Sequence, residues 1–165
     1  ARLGNHGQIA IVTAPGEPGT LEAYWESISV GFVMGKIILT LDAPGEIIEQ
    51  MRQRAKKIEY MESATRKATL HPDDQQAALG RTIVAIALIP SAHLDEQMII
   101  QRFGPPAERI RGTEHTEHFL YPSKGLDIRL DAKGKEVLQY VAPRDFARLR
   151  DPLLAHHAKR ADAPK

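Results

Sequence analysis

The segment 101–141, QRFGPPAERIRGTEHTEHFLYPSKGLDIRLDAKGKEVLQYV, decides how this chain is read. At its centre, Leu126-Asp127-Ile128-Arg129-Leu130-Asp131 swaps apolar for charged at every position. Successive strand side chains point to opposite faces, so the pattern predicts Leu126, Ile128 and Leu130 on a packed face. Asp127, Arg129 and Asp131 are expected on a wet one, where Arg129 is a candidate partner-binding residue. His115–Tyr121, which alternates weakly, and Glu136–Val141 are the two expected flanking strands. Asp131–Lys135 reads as the hairpin loop, with Gly134 at the reversal. The expectation is a three-stranded meander closed by Ala142-Pro143.

Working back toward the N-terminus, Leu94–Phe103 carries Leu94, Met98, Ile99 and Phe103 at helical spacing. Ser91 is the expected cap and Gly104-Pro105-Pro106 the stop. Thr82–Ile89 is apolar on both faces, as befits a central strand covered on both sides. Gln8–Ala14 reads as a strand and Thr20 as the cap of a short helical turn through Trp25. Ile28–Leu41 reads as buried strand structure, bent near Gly35-Lys36. From Glu46 to about Ala68, Ile47, Ile48, Met51, Ala55, Ile58 and Met61 recur every three or four residues, which predicts one long amphipathic helix. His71-Pro72-Asp73-Asp74 opens a second short helix, with Pro in the first turn and acids at the positive end of the dipole, closed by Gly80. Pro143–Leu154 is a further short helix, and residues 155–165 a flexible tail. The whole is α+β, an antiparallel sheet with packed helices. Its expected parts are an N-terminal subdomain, 1–80, and a strand–helix–meander subdomain, 81–150.

The 165 residues suit one domain or two small subdomains, and 42% hydrophobic with 26% charged residues is ordinary for a globular protein. A net charge of +1 gives no strongly basic footprint for nucleic acid. With no cysteine, disulfides, thiol catalysis and cysteine-ligated zinc are excluded. The run 28–41 is broken by Lys36 and two glycines, short of a membrane-spanning helix. The chain starts Ala1-Arg2-Leu3 without Met. The expectation is a trimmed product, whose signal peptide, lipid-modified cysteine or anchor would lie upstream.

For chemistry, His115, Glu117 and His118 are the candidate metal ligands of a small metal-dependent enzyme. On a strand, however, His115 and His118 point to opposite faces, and a catalytic zinc wants three protein ligands. Gly31–Ile37 has three residues between its glycines and then Lys-Ile, so it is not a nucleotide loop. The serines sit in no nucleophile signature. His156-His157 reads as part of the tail. Arg52, Lys56 and Lys57 form the basic side of the long helix, a solvated face or an anionic-lipid contact. Tyr24 and Trp25 are either buried anchors or a partner-binding aromatic pair.

The run from the helix Leu94–Phe103 through Gly104-Pro105-Pro106, Phe119 and Tyr121, Leu126–Leu130 and the Gly134 hairpin resembles the SmpA/OmlA-type domain of small bacterial envelope lipoproteins. That family includes the smallest accessory subunit of the outer-membrane β-barrel assembly machine. The resemblance covers residues 92–141; about 80 residues of different structure precede them. It implies a non-catalytic binding or scaffolding domain, periplasmic or outer-membrane-associated, with an envelope protein as partner and no cofactor. A cytoplasmic location is the alternative.

Overall fold

The computed structural model describes residues 7–30, 33–61 and 63–161. Gly31 and Phe32 of the 28–41 run, Glu62 of the expected long helix and residues 162–165 of the expected tail lie outside them. The strands are β1 (Gln8–Thr13), β2 (Thr20–Val30), β3 (Val33–Leu41), β4 (Lys57–Tyr60), β5 (Arg66–Thr69), β6 (Ile83–Pro90), β7 (Glu108–Arg111), β8 (Thr116–Tyr121), β9 (Leu126–Asp131) and β10 (Val137–Val141). The helices are α1 (Gly45–Gln53), α2 (Pro72–Ala78), α3 (Glu96–Phe103) and α4 (Ala147–Ala161). The fold is mixed α+β: an open antiparallel sheet hydrogen-bonded in the order β4-β5-β1-β2-β3-β6-β10-β9-β8-β7, with helices. Two compact units divide the chain, one from Ala1–Glu26 and Ile37–Ile86, the other from Ser27–Lys36 and Ala87–Lys165. The second therefore takes a piece of the β2–β3 region that a cut at residue 80 assigns to the first.

In the first unit, β1 pairs with β2 on one side and β5 on the other, with Ala10 opposite both Glu22 and Thr69. Ile11, Leu21 and Leu70 are fully buried. Two expectations change here. Residues 20–25 are strand, not helix: Leu21 and Ala23 bury while Thr20 and Glu22 lean outward, and the Thr20 hydroxyl bonds Glu22 instead of capping. The 46–68 helix ends at Gln53. Its remainder is the β4–β5 hairpin, with Lys57 opposite Thr69 and Tyr60 opposite Arg66. The Lys56 amide donates to Thr69 O at 2.9 Å, starting the ladder. Spacings of three and four continue through Ile58 and Met61, but these are 47% and 53% exposed. Pairing with the next strand overrides the helical periodicity. α2 opens as expected, with Pro72 in its first turn and Asp73 and Asp74 following.

The second unit holds four successive antiparallel strands, β7 to β10, one more than the sequence reading provides. Phe119 faces Ile128 across β8–β9, and Ile128 faces Leu138 across β9–β10. These three join Leu88, Leu94, Ile99, Tyr121 and Leu126 in one core, with α3 supplying Ile99 and, at its edge, Ile100 and Phe103. Asp95, not Ser91, caps α3, its carboxylate accepting the Met98 amide at 2.8 Å. Met98, expected in the core, is 51% exposed. The opposite face of β8–β9 is not wet either. Asp127 is 1% exposed, Leu120 is fully buried, and Arg129 is half-buried. β6 occupies an interior place in the sheet, yet most of it is half-buried and Ile83 is 47% exposed.

Glycine is required where β9 begins. Gly125 has φ 61°, and a Cβ there would lie 2.0 Å from Val141 O. Its carbonyl accepts the Val141 amide at 2.9 Å, holding the start of β9 against the end of β10. Beyond β10, a single 3-10 turn (Pro143–Asp145) leads into α4, which runs through Ala161 across the expected tail boundary at 155. Pro152 inside it removes one amide donor without ending the helix. α4 lies against β7, where Arg150 Nε donates to both carboxylate oxygens of Glu108 at 3.0 Å. Among the described residues no helix is long and apolar enough to cross a membrane.

Candidate functional site

The candidate site lies in the second unit, around the start of α3. β6 ends at Pro90, and the Ser91 amide donates to Met34 O of β3 at 2.8 Å. The backbones come close here: a Cβ on Gly35 would sit 2.3 Å from Ile89 O. Residues 91–95 then cross to the Asp95 cap. At the far end of α3, the Tyr121 hydroxyl donates to Gly104 O at 2.9 Å, and its ring stands 6.0 Å from that of Phe103. Burial raises the Tyr121 phenol above its ordinary pKa, partly offset by Arg109, so it is held as a neutral donor.

This framework leaves a groove of about 700 Å³ along α3. Val33, Met34, Leu94, Met98, Ile99 and Phe103 give it an apolar lining, with Arg102 and Gln101 at its margin. Met34 is 58% exposed and Met98 51%. Two unbranched, polarizable side chains in an apolar trough suit an apolar ligand of variable shape.

His93 and Leu94 also line a second cavity, of about 360 Å³. Its lining holds six carboxylates, Asp95, Glu96, Glu114, Glu117, Asp131 and Glu136, against the one guanidinium of Arg111. Glu136 is fully buried: Oε2 accepts the Leu94 amide at 3.4 Å, and Oε1 pairs with His93 Nδ1 at 2.5 Å. Glu96 pairs with Arg109 at 2.6 Å. At the rim, His115 Nε2 is 2.6 Å from both Glu114 Oε1 and Lys133 Nζ.

The residues singled out from sequence are dispersed. His115 and Glu117 line the acidic cavity. His118 takes the other face of β8 and donates from Nδ1 to Asp127, 3.0 Å from both oxygens. Cross-strand from His118 stands Arg129, whose buried Nε makes no hydrogen bond. Among the described residues no group of three His, Cys, Asp or Glu side chains is placed to hold a metal ion. Tyr24 and Trp25 belong to the first unit. Tyr24 is buried, donates to Gln8 at 2.5 Å and lies under the Lys67 ammonium, 4.8 Å from its ring centroid, while Trp25 is half-buried. Arg52, Lys56 and Lys57 do not share one helix face. Arg52 on α1 bonds Pro18 O at 2.7 Å and Glu49 at 2.6 Å, whereas Lys56 falls in the turn and Lys57 on β4, paired with Glu59 at 2.7 Å. Sequence reasoning missed His93 and Glu136, which are 43 residues apart and share no motif. It missed the groove because Met98 was expected inward.

No protein-family model, curated protein or solved structure matches this chain.

Proposed function

We propose that this protein is a non-catalytic binding module that captures an apolar segment of a partner protein in the groove along α3. The observation that carries the reading is the groove itself, about 700 Å³ and apolar, with Met34 and Met98 more than half exposed inside it. Exposed apolar surface of this kind costs solubility and is found where a ligand covers it. Amphipathic segments dock in such troughs through spaced apolar anchors. Within this reading, α3 followed by the strands β7–β10 forms the binding unit. Its resemblance to SmpA/OmlA-type domains supports a bacterial envelope protein as partner and a periplasmic or outer-membrane-associated site of action. No chemistry is assigned to it.

The test uses peptides selected from a displayed random library on the full chain, with affinities measured by fluorescence anisotropy. The selected peptides are expected to bind wild type and to lose about tenfold or more, one contact of about 1.4 kcal/mol, against Met98→Asp. The melting temperature should hold, because Met98 is exposed. Failure to select any peptide, or equal binding by the variant, would overturn the reading.

A further inference from the structure

The chain has four methionines, Met34, Met51, Met61 and Met98, and no cysteine. Their thioethers are therefore the only sulfur that an oxidant meets. Two of the four, Met34 and Met98, line the groove along α3 and are 58% and 51% exposed. We propose that these two are modification sites: a peroxide converts them to sulfoxides, and the groove then releases its apolar segment. This rests on the binding reading above.

The chemistry is an oxygen-atom transfer. A sulfur lone pair attacks one oxygen of the peroxide and the O–O bond breaks. The departing hydroxide takes the proton left on the transferred oxygen and leaves as water. Sulfur loses two electrons and the peroxide gains them. Oxidation follows exposure. Met51 on α1 is 3% exposed and is shielded. Met61 is 53% exposed but is not among the residues lining the groove, so it serves as a control within the same chain.

The product does not suit the groove. Sulfoxidation turns a flexible apolar side chain into a polar one. The new oxygen is an acceptor, and the side chains of Val33, Leu94, Ile99 and Phe103 offer it no donor. An apolar segment laid over it would bury that oxygen unpaired, which opposes binding. The fold is spared, because both residues are held through their backbones. Met34 O accepts the Ser91 amide at 2.8 Å, and the Met98 amide donates to Asp95 at 2.8 Å. Neither side chain belongs to the core of this unit. The change is also reversible: two thiols return the thioether, forming a disulfide and water. A separate reductase supplies those thiols, since this chain has none.

The test takes the selected peptides and treats the full chain with hydrogen peroxide. Mass spectrometry of its fragments should find Met34, Met61 and Met98 oxidised well before Met51. Binding should weaken about tenfold, as one buried unpaired polar group implies, while the melting temperature holds. Methionine sulfoxide reductases with a dithiol should restore it. Met61→Leu should lose affinity on oxidation as wild type does. In Met34→Leu/Met98→Leu, whatever affinity remains should be the same before and after peroxide. If that variant no longer binds, protection in wild type decides: bound peptide should slow oxidation of Met34 and Met98 and leave Met61 at its free rate. Oxidised protein that still binds Met98-dependent peptides at full strength overturns the modification site and leaves the groove standing. A fall in melting temperature alongside the loss, or equally fast oxidation of Met51, places the cause in the core and overturns it too. If no peptide is selected, the groove falls, and this proposal with it.

Discussion

The hairpins β4–β5 and β8–β9 are built alike and end differently. Both are antiparallel, and both mix apolar with charged residues along their strands. In the first, Ile58 is 47% and Tyr60 76% exposed, and Glu59 stays at the surface, its carboxyl held below the usual range by the hydrogen bond from Lys57. In the second, Phe119, Leu120, Leu126 and Ile128 are fully buried and even Asp127 is sealed in. Alternation says which residues share a face; only coverage says which face is dry. Coverage comes from elements far away in sequence. For β8–β9 it includes α3, and Asp127 is accommodated because β8 delivers His118 to it.

That contrast can be broken by substitution. Asp127→Ala leaves the buried His118 without its carboxylate, and losing one partner of a buried pair costs roughly 3–5 kcal/mol. Urea unfolding should show it, and His118→Leu added to Asp127→Ala should recover much of the loss. Were Asp127→Ala neutral, that face would be wet after all. Ile128→Ala removes a fully buried side chain, at a cost of about 3 kcal/mol in the same assay. Asp95→Ala probes the covering helix through its cap and should lower stability by about 1 kcal/mol. Ile58→Ala should fall within about 0.5 kcal/mol of wild type. A larger loss there would mean that β4 is covered in solution, and the contrast between the hairpins would close.

β8, β9 and β10 were legible as strands from their alternation and the Gly134 loop. So was α2, whose first turn follows cap and dipole chemistry. The 46–68 stretch misled because Ile58 and Met61 continue a helical spacing by coincidence, and the deciding partner, Thr69, acts through its backbone carbonyl, which carries no residue signature. Residues 20–25 misled because Thr20 suits a cap as well as a strand. At the site, His115 and Glu117 were visible as unusual residues, but their companions His93 and Glu136 were not. A pair formed by folding 43 residues back on themselves leaves nothing in either local context.

One constraint reaches beyond this molecule. Gly125 must be left-handed and must also lack a side chain, because Val141 O occupies the space. Tyr121, tied to Gly104, fixes the near end of the same turn. The run Tyr121-Pro122-Ser123-Lys124-Gly125-Leu126 is therefore a fingerprint that would outlast general sequence similarity. An aromatic, a one-turn spacer opened by proline, a glycine and an apolar strand start, with a helix-ending glycine upstream, form the signature by which remote relatives of this fold are to be sought.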